Sequence, residues 1–223
     1  MTSNGARRIE VAPGRFAGWI ESFGDRHGAV SAAQAADSVV FTATDGSVAA
    51  CQVPFPPLAV SADTEAAALA KLMAEHASAD RTIGVFLVRL GGYAAGVFTG
   101  TEPKLTASKV GSRLVHGRSA AGGQSQQRFA RRRENQAHQA LAAAADTAAA
   151  VFAPYSLDAL VLGGDRRAFA PIRTDPRLAA YFEVETDLFL TVPDPRLAVL
   201  KETPKLFRVI RISLTEPAVA AAD

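Results

Sequence analysis

The residues best suited to chemistry in this chain are a glutamine preceded by two glycines and followed by a basic helix. Gly122-Gly123-Gln124 places a neutral side-chain amide, which both donates and accepts hydrogen bonds, after two residues that lack a Cβ. Five arginines, five glutamines and one acid lie between Gly117 and Gln139, so the segment carries a net charge of +4. Arginine is well suited to binding phosphate. These residue types indicate a neutral amide that is brought to a polyanion.

The positive charge of the chain is concentrated in this segment. The whole sequence has 24 Lys and Arg and 22 Asp and Glu, so the remainder holds 19 bases and 21 acids and sums to −2. A helix needs a broad apolar stripe to pack on its own core, but Phe129 is the only large apolar residue between 118 and 136. We therefore expect the segment to project into solvent or into a partner.

The composition indicates a globular protein rather than a disordered chain. Its 223 residues are 48% hydrophobic and 21% charged, which is enough to build a substantial core. Cys51 is the only cysteine, which excludes an intramolecular disulfide and a thiolate metal cluster. The first residues lack the apolar core of a signal peptide, and no apolar run reaches the roughly 18 residues of a membrane span. The sequence thus predicts a cytoplasmic protein that does not enter a membrane.

The elements that must position the glutamine follow an α/β pattern. An apolar spacing over Phe16 to Phe23 predicts a helix, and Asp45-Gly46 predicts a hairpin turn between two strands. The very apolar run at Ile83–Arg89 is typical of a central strand. Further strands are predicted at 93–99, 104–114, 157–162, 186–192 and 206–212, and alanine-rich helices after Ser61 and over 137–152.

These elements predict an α/β domain with a mixed sheet flanked by helices. Pro54-Phe55-Pro56-Pro57 suggests a boundary, so that residues 1–60 form a small N-terminal helix and β-hairpin unit. Residues 61–214 then form the main domain, and residues 215–223 a flexible tail. Two copies of Asp-Pro-Arg-Leu-Ala, at Asp175 and Asp194, are interpreted as helix caps followed by proline.

Other candidate sites are weaker than the glutamine segment. Neither dinucleotide-binding nor P-loop glycine motifs occur, and the four histidines have no metal-ligand spacing. Asp158, Asp165 and Asp187 lie near predicted strand ends, where a two-metal nuclease would place carboxylates, but caps and turns explain them better. We therefore expect no metal and no cofactor.

The composite motif resembles a known family of translation factors. His116-Gly117-Arg118, then Gly122-Gly123-Gln124-Ser125, then Arg128-Phe129-Ala130-Arg131 and Arg133 is similar to the catalytic loop and following helix of the middle domain of eukaryotic and archaeal class-I release factors. The closest resemblance is to the actinobacterial branch of the Vms-like release-factor family. The motif covers about 18 residues, and the α/β order from about Arg81 to Ile212 agrees with the ribonuclease-H-like fold of that domain.

The resemblance implies a ribosome-associated peptidyl-tRNA hydrolase that needs no stop codon. Gln124, with Gly122 and Gly123, would be the catalytic group, in the peptidyl-transferase centre of the large subunit. The residues implied to bind rRNA and peptidyl-tRNA are Arg118, Ser125, Gln126, Arg128, Arg131, Arg132 and Arg133. Off the ribosome we expect a monomer.

The sequence also departs from the pattern of the family. Ser119-Ala120-Ala121 is an insertion relative to the classical loop, and the order Gly-Gly-Gln-Ser-Gln leaves Gln126 as an alternative to Gln124. Two other functions stay open at this point. One is a non-catalytic RNA- or ribosome-binding module that uses the same arginines; the other is a metal-dependent ribonuclease on the same fold.

Overall fold

A computed structural model describes residues 6–61, 64–89, 91–112 and 125–217, and over 125–133 the backbone alone. Its strands are β1 (Arg7–Val11), β2 (Val30–Gln34), β3 (Ser38–Ala43), β4 (Val48–Gln52), β5 (Ile83–Arg89), β6 (Gly92–Thr99), β7 (Lys104–Ser112), β8 (Ala159–Gly164), β9 (Glu185–Leu190) and β10 (Ile210–Thr215). Its helices are α1 (Pro13–His27), α2 (Ala66–Ser78), α3 (Ser125–Phe152), α4 (Phe169–Ile172), α5 (Ala179–Phe182), α6 (Leu197–Glu202) and α7 (Pro204–Phe207). In this part of the chain no helix is long and apolar enough to cross a bilayer.

The chain forms two compact units. The first combines residues 1–79 with residues 208–223, and the second comprises residues 80–207. Each has its own five-stranded sheet, and the two sheets are built differently.

The first unit is an antiparallel sheet whose core is closed by two helices. The strand order is β1-β10-β4-β3-β2, and every pair is antiparallel. Phe16 and Phe23 of α1, Phe41 of β3 and Met73 of α2 are fully buried in one hydrophobic cluster. The predicted helix after Pro13 and the hairpin at Asp45-Gly46 are confirmed.

This unit is larger than the helix and hairpin that the sequence predicted. The helix α2, expected in the main domain, buries Leu69 and Met73 in this core, whereas Leu72 is 38% exposed. Strand β10, expected to end the main domain at residue 214, pairs with both β1 and β4 and includes Thr215. Strands β1 and β2 were not predicted, because both are edge strands with charged or small residues.

The second unit contains the predicted mixed sheet. Its order is β7-β6-β5-β8-β9, in which β5, β6 and β7 form an antiparallel meander and β8 and β9 run parallel to β5. Residues 83–88 of β5 are all buried, as the apolar run predicted for a central strand. Helix α3 packs on β5, β6 and β7. A three-strand meander followed by two parallel strands is the order expected of a ribonuclease-H-like fold.

Candidate functional site

In the second unit, four strands end at the same edge of the sheet. Strands β5, β7, β8 and β9 all run in the same direction, since only β6 is antiparallel to its neighbours. Their last residues, Arg89, Ser112, Gly164 and Leu190, therefore lie along one edge, here called the carboxyl edge. In open α/β sheets this edge is where ligands bind.

The glutamine segment connects this edge to α3. Strand β7 ends at Ser112 and α3 begins at Ser125, so residues 113–124 form the connection. Arg118, Gly122, Gly123 and Gln124 lie outside the residues that the structure describes. Their assignment as a site stays a prediction. The structure describes the two elements on either side of them, β7 and α3.

Helix α3 has two halves with different surroundings. Its 28 residues correspond to about 42 Å. Ala144, Ala148 and Phe152, in the second half, are fully buried in the core of the unit. A Cβ on Gly84, at the amino end of β5, would lie 3.5 Å from the Phe152 ring, so α3 ends at the amino edge of the sheet. The helix therefore leads away from the carboxyl edge as it enters the core.

The first half of α3 contains the predicted docking residues. The structure describes only the backbone of these residues, and all of them belong to the helix. They are Ser125, Gln126, Arg128, Arg131, Arg132 and Arg133. Ala140 is the first residue of α3 that is buried among those described, and Glu134, Asn135, His138 and Gln139 are exposed. About 22 Å of helix thus precedes Ala140. The predicted alanine-rich helix over 137–152 is therefore the part of α3 that enters the core.

The end of β8 is fastened to β5 at the carboxyl edge. Gly164 has φ +102°, and a Cβ there would lie 2.2 Å from the Val88 carbonyl oxygen. The Asp165 N–H donates to that same oxygen at 2.8 Å. Only glycine combines this backbone conformation with so close an approach. The ends of β5 and β8 are therefore in close backbone contact at the carboxyl edge.

The aspartates weighed for a two-metal site do not converge. The Asp158 carboxylate accepts the Thr82 N–H at 2.7 Å, before β8 begins. The Asp165 carboxylate accepts the Arg167 N–H at 3.0 Å, after β8 ends, as the predicted cap. The six residues of β8 separate them by about 20 Å. In the described ranges no group of three or more His, Cys, Asp or Glu is arranged to hold a metal ion.

A serine, a histidine and an aspartate that the sequence could not bring together do meet in the first unit. His27 Nδ1 lies 2.9 Å from Asp45 Oδ2 and 3.0 Å from Ser47 Oγ. A nucleophilic triad needs the serine and the acid on opposite ring nitrogens, and Ser47 is fully buried. The Ser47 N–H and His27 donate to Asp45 and lower its pKa. The cluster therefore fixes the β3–β4 turn against α1.

The family described as the Actinobacteria/chloroflexi VLRF1 release factor matches residues 81–213. No curated protein matches. The crystal structure of the archaeal translation termination factor aRF1 is similar at 13% identity and a TM-score of 0.39, over 92% of this chain and 68% of that one. A structure described as an archaeal protein is similar at 14% identity and a TM-score of 0.31, over 90% and 65%.

The family match and the second unit nearly coincide. The matched segment starts one residue after the unit begins, contains the whole sheet β7-β6-β5-β8-β9, and extends into β10 of the first unit. It also contains residues 113–124 and the whole of α3. The chain spans about two thirds of the length of each of the two solved structures.

Proposed function

We propose a function for this chain on the basis that it belongs to the Actinobacteria/chloroflexi VLRF1 release-factor family. The proposed function is that of a ribosome-associated peptidyl-tRNA hydrolase that acts without a stop codon. Its substrate would be the ester between a nascent peptide and the terminal ribose of tRNA, in ribosome rescue or quality control. The observation that carries the proposal is the position of Gly122-Gly123-Gln124 inside the matched segment, on the connection from the carboxyl edge to α3.

Hydrolysis of this ester is chemistry that a glutamine can assist by positioning. Water adds to the ester carbonyl, the bond to the ribose oxygen breaks, and the products are a peptide carboxylate and a free ribose hydroxyl. The Gln124 amide would hold the water beside the carbonyl without the desolvation cost of a charged side chain. The Gln124 backbone N–H would stabilise the oxyanion that forms. Since only water is consumed, the proposal requires no cofactor.

The residues around Gln124 suit delivery into a crowded RNA pocket. Gly122 and Gly123 permit close backbone approach, which a Cβ would prevent. The first half of α3 contains four arginines, and together with Arg118 before the loop they would bind the phosphates of rRNA and tRNA. Ser125 and Gln126 would add neutral hydrogen bonds. The protein would therefore work on the large subunit in the cytoplasm, as a monomer before it binds.

The decisive experiment is peptide release from ribosome–nascent-chain complexes that lack a stop codon. We expect Gln124→Ala to lower the release rate by about 100-fold, the effect of a misplaced reactant, because alanine keeps the backbone N–H but loses the amide that would hold the water. Sedimentation with ribosomes should be unchanged. Gln139→Ala is the matched control, because it removes an exposed amide from the same helix and lies outside the residues proposed to bind RNA. We expect its release rate to be near that of the wild type. Gln126→Ala is the variant that tests the second glutamine.

The outcomes separate the proposal from its alternative. If Gln124→Ala releases peptide as fast as the wild type, Gln124 is not the catalytic group. If the wild-type chain releases no peptide, and substitution of Arg131 and Arg132 abolishes ribosome binding, the chain is a non-catalytic RNA-binding module. If Gln126→Ala alone abolishes release, the second glutamine is the catalytic one. Absence of release by the wild-type chain would overturn the hydrolase proposal itself.

A further inference from the structure

A cleft of about 460 Å³ lies at the carboxyl edge of the second unit, beside the point where β7 ends. The strands β5, β6 and β7 contribute Arg89, Gly92, Gly111 and Ser112, and the loop after β9 contributes Asp194 and Arg196. Two arginines and one aspartate thus line one cavity. Its volume lies in the range of small-ligand sites. None of these residues belongs to the glutamine segment or to α3.

Arg89 is fixed in place on one side of the cleft. It is half-buried at the end of β5, and its Nη1 donates to the Val192 carbonyl oxygen at 2.6 Å. Val192 is itself buried, at 3% exposure. A guanidinium has five N–H donors, so this bond orients the group and leaves donors for a ligand. The same bond holds the loop after β9 against the end of β5.

The Asp-Pro-Arg sequence that occurs twice shows what is unusual about Arg196. In the first copy, Arg177 pairs with Asp175 at 2.6 Å and with Asp146 at 2.7 Å. The bond from Arg177 lowers the pKa of Asp175. In the second copy, Arg196 is exposed, and among the described residues it forms no ion pair. In the first copy the arginine is therefore paired with carboxylates of the chain, and in the second copy the arginine can pair with a ligand.

Asp194 also differs from its counterpart. Asp175 accepts the N–H of Arg177 and closes a turn. Helix α6 instead has Arg196 at its N-cap, and helix α5 has Leu178, in both cases without a side-chain cap. The prediction that Asp175 and Asp194 cap helices is therefore wrong at both positions. Asp194 is exposed and is one of the residues that line the cleft. A ligand that pairs with the arginines and with Asp194 would offer both negative charge and a hydrogen-bond donor.

We propose that this cleft binds one nucleotide of an RNA chain, with its phosphate against Arg89 and Arg196 and its 2′-hydroxyl against Asp194. The phosphate matches the guanidinium donors, and the hydroxyl is a donor that RNA has and DNA lacks. The choice of RNA rests on the proposed function. The nucleotide would be bound next to the start of residues 113–124, so the cleft sets the register of the unit on its RNA partner.

The test is the affinity of the full-length chain for a labelled eight-nucleotide single-stranded RNA at several KCl concentrations. We expect Arg196→Ala to weaken binding about tenfold, the effect of losing one charged hydrogen-bonding contact. The slope of log affinity against log salt should fall by about 0.7, the contribution of one phosphate. Lys104→Ala removes the same charge from the other end of β7 and should change neither quantity.

Competition and a second variant complete the test. Deacylated tRNA and purified large subunits are each used as competitor against the labelled oligomer. The RNA that occupies the cleft is the one whose affinity for the chain falls when Arg196 is replaced by alanine. Asp194→Ala should reduce the preference for the RNA oligomer over its DNA counterpart. Equal affinity and slope for Arg196→Ala and Lys104→Ala would overturn the site. An unchanged RNA preference in Asp194→Ala would overturn the role of the hydroxyl.

The cleft and the hydrolase proposal fail in different ways. If the cleft is wrong, Arg196→Ala binds RNA normally while the wild type still releases peptide. If the hydrolase proposal is wrong, the wild type releases no peptide while Arg196→Ala still weakens RNA binding. Thermal unfolding of Arg196→Ala is expected to match that of the wild type, because the side chain is exposed.

Discussion

Cys51 illustrates how strongly a single residue is determined by its position in the sheet. It lies on β4, opposite Ile212 of β10, and is 1% exposed in the core of the first unit. Burial raises the pKa of its thiol to about 12. Because the thiolate is the reactive form, Cys51 is a thiol with almost no reactivity while this core is closed. The rate at which Cys51 reacts therefore indicates whether the core of the first unit is folded.

Cys51 should resist thiol reagents in the native chain. At pH 8 the wild type is expected to react with a disulfide reagent such as 5,5′-dithiobis(2-nitrobenzoate) at least about 100-fold more slowly than in 6 M guanidinium, since both access and thiolate formation require opening of the core. The absorbance of the released thiolate gives the rate. Rapid stoichiometric reaction under native conditions would show that Cys51 is not buried.

Among the elements, β8 depends most visibly on glycine. Gly164 closes the carboxyl edge by placing its backbone against the Val88 carbonyl oxygen, and Gly163 packs against Leu87 and Leu190 with no room for a Cβ. Close backbone contacts thus hold β8 against its neighbours at the carboxyl edge. Disturbing it should affect the whole sheet of the second unit.

Gly164→Ala is expected to destabilise the second unit by about 3 kcal/mol or more, because it combines a strained φ with a backbone overlap at 2.2 Å. Gly100→Ala is the matched control in the same unit. Gly100 has φ +95°, but a Cβ there would meet nothing nearer than 3.4 Å, so its cost is the conformational strain of about 1 to 2 kcal/mol. Denaturant unfolding followed by circular dichroism measures both. Equal losses would show that the overlap relaxes freely.

For the whole molecule, the decisive feature is that the chain returns to its first unit. Strand β10 lies between β1 and β4, and its Ile210, Ile212 and Leu214 are buried in that core. The second unit is therefore inserted between α2 and β10 of the first. Consequently the first unit is incomplete until the last strand has been made.

Truncation after Phe207 should unfold the first unit. The three buried side chains of β10 contribute about 6 kcal/mol, which is comparable with the total stability of a small domain, and both neighbouring strands lose a partner. Cys51 is then expected to react at nearly its unfolded rate. Truncation after Pro217 keeps β10 whole and should preserve slow reaction. Slow reaction in both truncated chains would contradict the role of β10.

The sequence by itself determined whatever depends on neighbouring residues. The apolar run of β5, the Asp-Gly hairpin, the two halves of α3 and the glutamine motif are local patterns, and helix, strand and turn preferences act over a few residues. The family could be identified for the same reason, since its motif is contiguous. The mixed sheet followed from the order of these elements.

Only the tertiary structure decided which distant segments meet. The pairing of β1 with β10 joins residues about 200 positions apart, and their short, charged or amphipathic sequences specify no partner. The cleft likewise needs Arg89 beside a loop that follows β9, a contact made across 103 residues. Two identical Asp-Pro-Arg tripeptides acquired different roles because one lies near Asp146 and the other lines the carboxyl edge. Local preferences cannot encode such differences, since the partners come together only when the whole sheet forms.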